Sequence, residues 1–394
     1  MRVSMKRSGA KRKARRELTD EERVKIALAR YSPLREGKAP RKTKELQEIY
    51  HRDPSVISKA VVEAFRKGLV EIREVDQPQR PERIEELEQK LVSCFDLRTA
   101  VVISPATGVG SKLDPAAAAD ELHRRLGQAL ASFVSSSAVF RDGDIIGLGS
   151  GRGVFYTVEA LRDFLPLRAV NVRLVSLTGA LFAQDHAKKM NLRLDADIHV
   201  NLFGERFAHP IEVHELHAPI VPSDEKELLA IRKRTWLGGE RRYGFAFPTH
   251  SLVGVGVLSR GHKLFEAVTS TNGILDYILK PIHPWLKSLV TICAELSSAR
   301  YCPVADISNN LFYVKPPMDI PVSDAKERQI KKLIENINRK LLNIDDAQLQ
   351  RVVTIIVVAG GLQKACALRQ LLNDERYKIR VLCTDRETAQ EILA

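Results

Sequence analysis

Residues 144–155 read DIIGLGSGRGVF: a short apolar run, a glycine-rich turn, and the first residues of a segment with helical periodicity. A buried strand that passes through glycines into a helix is the repeating unit of an α/β fold. The same order returns at residues 171–180, NVRLVSLTGA, and at 352–364, VVTIIVVAGGLQK. Other apolar runs lie at 99–104 (TAVVIS), 196–202 (ADIHVNL), 251–258 (SLVGVGVL), 311–314 (LFYV) and 379–385 (IRVLCTD). Segments with helical patterning at 115–136, 153–164, 182–192, 223–234, 281–298, 323–341, 362–373 and 386–394 alternate with them. This alternation predicts a largely parallel sheet covered on both faces, a doubly wound α/β domain over residues 97–394.

In such sheets ligands bind beyond the C-terminal strand ends, where loops lead into helices. Glycines there let backbone amides converge on an anion, and a helix N-terminus adds positive potential. The candidate contacts are Gly149, Ser150, Gly151, Arg152 and Gly153 in the first loop and Thr178 and Gly179 in the second. Gly360, Gly361 and Lys364 are those of the third. The first loop is not a Walker A loop, because no Gly-Lys-Ser/Thr ends it, and its spacing is not the dinucleotide fingerprint. Each loop alone reads equally as a tight turn. Three at one end of a sheet point to a phosphorylated, polar metabolite.

Charge separates this domain from what precedes it. Residues 1–83 carry 23 Lys and Arg against 13 Asp and Glu, whereas the remaining 311 residues are close to neutral. Residues 1–16 hold eight basic side chains and no acid, which reads as a basic tail with affinity for phosphates. Over 17–76 the pattern is helical. Thr19 with Glu22 makes a capping box ahead of a helix that shows Val24, Ala27 and Leu28, and a second helix from Lys44 to Tyr50 shows Leu46 and Ile49. After the turn His51-Arg52-Asp53, Pro54 starts a third helix with Val56, Ile57, Ala60, Val61, Ala64 and Phe65 along one stripe, and LVEIREV (69–75) reads as a strand of a winged element. Two helices around a short turn in a basic module are a helix-turn-helix. Ser55, Ser58 and Lys59, with Glu63 one turn later, would face the major groove of operator DNA, while Lys42, Thr43, Lys44 and Arg66 would reach phosphates.

Residues 77–96 begin as a polar, proline-containing linker and continue as an amphipathic helix, with Ile84, Leu87, Leu91 and Cys94 or Phe95 on one stripe. That stripe must be buried either against a second copy, making a homodimer or homotetramer, or against its own C-terminal domain. The longest apolar run, Val352 to Gly361, is half of the ~20 residues a membrane span needs. The five cysteines are widely spaced, which suits buried thiols of a cytoplasmic protein better than disulfides or a zinc site.

Taken together, the chain resembles the SorC-type, or sugar-binding, DeoR-related bacterial transcriptional regulators. LEQKLVSCFDLRTAVVI, HAPIVPSDEKELLAI with SLVGVGVL, PVADISNNLFYV, and above all IIVVAGGLQKACALRQLL with IRVLCTDRETAQEIL carry the likeness. It covers most of the chain. The resemblance implies an effector domain of the ribose-5-phosphate isomerase and CoA transferase type, and operator binding modulated by a phosphorylated sugar-like effector. It also implies an oligomeric regulator, not an enzyme, without a cofactor. It maps the phosphate loop to Gly149–Gly153, the second glycine loop to Thr178-Gly179, the hydroxyl-reading acid to Asp306 and the motif lysine to Lys364. The chain departs from the family where Ser-Gly-Arg stands for its usual first-loop pair, and where Ala305 stands before the acid in place of glycine.

Competing chemistry is thin. The same scaffold hosts isomerases and CoA transferases, in which Asp306 and Lys364 would be acid-base groups. His209, His214 and His217, with His199 nearby, lack the spacing of a metal site. Cys366 occupies a position for a small core residue, and Asp185-His186 has no nucleophile in company.

Overall fold

Thr19 and Glu22 cap the first helix reciprocally. Thr19 N–H donates to Glu22 Oε2 (2.8 Å) and Glu22 N–H donates to Thr19 Oγ1 (3.2 Å), which satisfies two amides at the start of α1, Asp20–Tyr31. Helix α2, Thr43–Tyr50, ends at His51, which takes a left-handed conformation (φ 49°), and α3 runs Pro54–Arg66. Ile26, Ala27, Leu46, Ile57, Ala60, Val61 and Ala64 close a small core. Of the expected face of α1, Ala27 is buried and Val24 half-buried, but Leu28 is exposed and Ile26 takes its place in the core; Ile49 of α2 is exposed as well. Glu63 of α3 is paired within the unit, where Arg23 Nε of α1 donates to its Oε2 at 2.7 Å.

The structure is a computed structural model that describes residues 18–31, 41–67, 81–104, 115–137, 139–164, 166–180, 195–238, 247–259 and 279–394. The basic tail, the winged strand at 69–75, the helix expected at 182–192 and Asp185-His186 lie outside the described residues. The chain divides into two compact units, Met1–Asp76 and Gln77–Ala394.

In the larger unit, α4 (Glu85–Cys94) leads into β1 (Thr99–Ile103), α5 (Pro115–Ser136), β2 (Ile145–Leu148), α6 (Arg152–Ala160), β3 (Arg173–Ser176), α7 (Ala196–Gly204), β4 (Glu212–His214) and α8 (Glu225–Arg234). Then follow β5 (His250–Val253), β6 (Val255–Val257), α9 (His283–Leu296), β7 (Val304–Ile307), β8 (Asn310–Tyr313), α10 (Asp324–Asn338), α11 (Asp346–Leu349), β9 (Thr354–Val358), α12 (Ala365–Leu372), β10 (Ile379–Asp385) and α13 (Arg386–Leu393). Seven strands pair in the order β1-β10-β9-β5-β2-β3-β4, every pair parallel. Strand alternation then separates two cores. Val101, Ile103, Ile146, Leu148, Ile356 and Val358 face one cluster with Leu126 and Leu130 of α5 and Val154 of α6. Ala100, Val102, Ile145, Val175, Ile355 and Val357 face the other, with Leu289 of α9, Leu368 of α12 and Ile392 of α13. The sheet is covered on both faces, as the alternation predicts.

Two segments differ from the sequence reading. ADIHVNL, read as a strand, is α7: Asp195 caps it, its side chain accepting from Asp197 N–H (2.9 Å), and the cap outweighs the β-branched content of the segment. SLVGVGVL, read as one strand, breaks at Gly254. β5 stays in the large sheet while β6 joins a three-stranded antiparallel sheet, β6-β7-β8.

The stripe of α4 is covered within its own domain, where Leu87 and Leu91 join the core. The residues before α4 run antiparallel along the free edge of β1. Ile84 N–H donates to Val102 O (2.8 Å), and Ser104 N–H donates to Glu82 O (2.9 Å). Buried Glu88 accepts from both Nε and Nη2 of Arg83 (2.8 and 2.7 Å) and from Val102 N–H (2.9 Å).

Candidate functional site

The chain steps from β2 outward to β3 and β4, then returns to β5 on the other side of β2 and goes on to β9. Loops at such a reversal diverge and leave a crevice beyond the C-terminal strand ends. A cavity of about 340 Å³ occupies it, walled by the β2–α6 loop, the β5–β6 junction, Asp306 of β7, the turn after β9, and Leu122 and His123 of α5.

Each loop is anchored from below. His199 of α7 is fully buried, and its Nδ1 lies 2.9 Å from Gly149 O, fixing the first loop. Gly361, at φ 102°, needs glycine's freedom. Its N–H donates to Asp385 Oδ2 (2.7 Å) and Thr388 Oγ1 (2.9 Å), so the end of β10 holds the turn after β9. Between β7 and β8, Ser308 and Asn309 both have positive φ (53° and 64°), the pattern of a tight two-residue hairpin turn. Asn309 N–H donates to Asp306 Oδ2 (2.9 Å), and its Nδ2 donates to Ser150 Oγ (3.1 Å) and Thr178 Oγ1 (2.7 Å). One side chain thus ties the first two loops to the strand of the acid.

Two cations stand in the wall with one acid, Asp306. Arg152 begins α6, and Lys364 ends the short turn Leu362–Lys364 just before α12, so the lysine sits ahead of that helix and not a turn inside it. Lys364 Nζ lies 3.3 Å from His123 Nε2, and His123 Nδ1 lies 2.5 Å from Ala119 O. A carbonyl only accepts, so Nδ1 carries the ring proton and Nε2 accepts from the ammonium. Burial, with the charges of Lys364 and Arg152, pushes the His123 imidazole down to about 3. Burial and then Arg152 lower the Lys364 ammonium to about 8, while Asp306 and Asp385 act in the opposite sense. Near neutral pH the pocket thus presents Arg152, a protonated Lys364, a neutral His123 and the carboxylate-bearing Asp306.

Of the residues singled out in the sequence, Ser150, Gly151, Arg152, Gly153, Asp306, Gly360, Gly361 and Lys364 meet at this cavity. Gly149, Thr178 and Gly179 are not among its lining residues. Gly149 N–H donates to Leu252 O (3.0 Å), Gly179 N–H donates to Leu342 O (2.8 Å), and Thr178 is buried against Asn309. Sequence reasoning missed His123 and Gln363. Nothing around His123 in its helix marks it, whereas Gln363 stands beside Lys364 inside the motif already noted. The other histidines go elsewhere: His214 pairs with Glu212 (3.1 Å), His217 with Glu215, and His209 is exposed. Cys366 Sγ lies 3.5 Å from Arg300 O. Among the described residues no group of His, Cys, Asp and Glu is arranged to hold a metal ion.

In the N-terminal unit, Lys42, Lys44, Ser55, Ser58, Lys59 and Arg66 are exposed and Thr43 is half-exposed. Ser55 is held at the start of α3 by Asp53, whose Oδ1 accepts from Ser55 N–H (2.9 Å) and from its Oγ (2.5 Å). Lys59 stands 3.9 Å from Glu63 and remains largely in solvent.

Residues 79–234 match the family model described as "Putative sugar-binding domain". The full-length sorbitol operon regulator SorC from Klebsiella pneumoniae superposes over 95% of this chain and 99% of its own, with a TM-score of 0.52 and 20% identity. The fold is that of the SorC-type regulators. A transcriptional regulator from Streptococcus pneumoniae TIGR4 shares it over 78% of this chain and 96% of its own (TM-score 0.53, 17% identity). So does a DeoR family transcriptional regulator from Listeria monocytogenes, over 78% and 98% (TM-score 0.51, 17% identity). No curated protein matches the sequence. The SorC-type likeness read from the sequence motifs holds, as does the α/β class. Among the described residues no helix is long and apolar enough to cross a membrane.

Proposed function

We propose that the protein is a DNA-binding transcriptional regulator of the cytoplasm, acting as a dimer or tetramer, whose operator affinity is set by a small phosphorylated, sugar-like metabolite. The observation that carries this reading is the cavity at the strand-order reversal, where Arg152 and Lys364 face Asp306. Two cations beside helix starts suit a phosphate, and a carboxylate suits the hydroxyls of a sugar. That its structural relatives include regulators of transcription supports this reading. The exposed Ser58 and Lys59 of α3 supply the DNA-reading face, with Lys42, Lys44 and Arg66 for phosphates. A ligand acts through its differential affinity for the DNA-competent and incompetent states.

The test is binding to the gene's own upstream DNA and to a scrambled duplex at ~150 mM salt, where non-specific charge attraction is weakened. Selective binding that a pool of sugar phosphates alters is the expected result. Lys59→Glu should weaken it roughly 10- to 100-fold, the scale of one lost base or phosphate contact with a charge reversed, and leave ligand-induced thermal stabilisation intact. Equal binding to both duplexes, or turnover of a sugar phosphate by the protein, would overturn the reading.

A further inference from the structure

Gly127 of α5 lies so close to α6 that a Cβ there would stand 2.5 Å from the carbonyl carbon of Tyr156. The two helices therefore approach backbone to backbone, and His123, one turn earlier on the same side of α5, reaches the cavity at the start of α6. It is 8% exposed, and both ring nitrogens are occupied, one by the Ala119 carbonyl and the other by the Lys364 ammonium.

We propose that His123 is the positioning residue of the anion end of the pocket: its Nε2 accepts from Lys364 and aims that ammonium, beside Arg152, at the dianion of a phosphate monoester. The inference rests on the anion-binding reading of the cavity above. The geometry explains why a histidine serves here. A carboxylate at position 123 would neutralise Lys364 and compete with the ligand, whereas an imidazole with Nδ1–H tied to Ala119 O offers a lone pair without a charge. The charged groups facing Lys364 are Arg152 of α6, Asp306 of β7 and Asp385 of β10, with His123 neutral on α5. Asp385 is already engaged by Gly361 N–H and Thr388. Arg152 and Lys364 repel one another until an anion lies between them.

Binding is then linked to protons. The monoester is a dianion above its second ionisation near ~6, and Lys364 is charged below about 8. Affinity should be greatest between these limits and weaken above the upper one, by up to tenfold per pH unit, because the ligand must then draw a proton onto the lysine.

The experiment is titration of the full-length protein with inorganic phosphate, and with pentose and hexose phosphates, from pH 6 to 10, followed by calorimetry and by the shift in melting temperature. Sugar phosphates binding more tightly than phosphate alone would place the sugar's hydroxyls in the pocket as well. Equal affinities would overturn the monoester as the ligand and leave a site that reads phosphate alone. His123→Leu should weaken binding roughly tenfold, as loss of a hydrogen bond to a charged group does. It should also move the alkaline break to lower pH, since the ammonium loses an acceptor that favours its charged form. His123→Gln, which keeps an acceptor, should recover most of both. A loss in His123→Leu that is the same at every pH, with the break unmoved, would overturn the positioning role and leave the anion site standing. If the wild-type protein binds neither phosphate nor its esters at any pH, both this inference and the reading it rests on fail.

Discussion

At the scale of single residues, the pocket is made by a few backbone positions that only glycine satisfies and by side chains drawn from distant parts of the chain. The first kind is legible in a sequence. Gly360-Gly361 after an apolar run announces a turn, and the structure finds Gly361 at φ 102° and ψ 128°, with its N–H given to Asp385 and Thr388. A Cβ at Gly361 would meet nothing within 4 Å. Any cost of Gly361→Ala is therefore backbone strain alone, which puts the expected loss at ~1–2 kcal/mol. Chemical denaturation of the two proteins measures it directly, and an unchanged midpoint would mean that the loop relaxes without cost. The second kind is not legible. His123 sits in the middle of a helix with no local signature, and it becomes a site residue only because α5 crosses α6 at Gly127. Thr178 shows the converse: its loop has the right look, yet its hydroxyl is used to accept from Asn309 below the pocket.

At the scale of elements, strands and helices with a clean period were recoverable, and the misses have local causes. α7 hides its capping residue, Asp195, behind a run that alternates like a strand. The break between β5 and β6 depends on a change of sheet at Gly254, which no pattern of apolar residues records. Sequence is also silent on how an edge is protected. β8 lies at the rim of the three-stranded sheet, and two side-chain amides take the place of a neighbouring strand. Asn338 of α10 accepts from Leu311 N–H (3.0 Å) and donates to Leu311 O (2.8 Å). Gln370 of α12 accepts from Lys315 N–H (2.9 Å) and donates to Tyr313 O (2.9 Å). An unpaired strand edge is a template for association with another chain, and natural proteins cover such edges. The double variant Asn338→Leu, Gln370→Leu should lose stability by ~2–4 kcal/mol, because four backbone hydrogen bonds go unmade, and should self-associate on warming. Sedimentation and light scattering at rising protein concentration read the second effect. A variant that stays as dispersed as the parent would show that the rim of β8 is shielded by other means.

At the scale of the whole molecule, the question is where the larger unit begins. From the sequence, residues 77–96 are a linker carrying a helix whose stripe a second copy could cover. In the structure that helix belongs to the larger unit. Leu87 and Leu91 are in its core, residues 82–84 line the free edge of β1, and Glu88 is buried under Arg83 while it accepts from Val102 N–H. Register then carries the contact across the sheet. Ile103 bridges Arg83 on one side and is paired on the other with Asp385, the residue that holds Gly361 at the pocket. A fragment of residues 77–394 should therefore melt in one cooperative step and bind phosphate as the full chain does. A fragment of residues 97–394 loses two buried leucines, at ~2–5 kcal/mol each, and exposes the β1 edge. It should be at least ~4 kcal/mol less stable, or aggregate, with its phosphate affinity falling as Asp385 loses its neighbour's support. Urea denaturation of the two fragments side by side decides the matter. Equal midpoints would return α4 to the role of a tether and free its stripe for a second subunit.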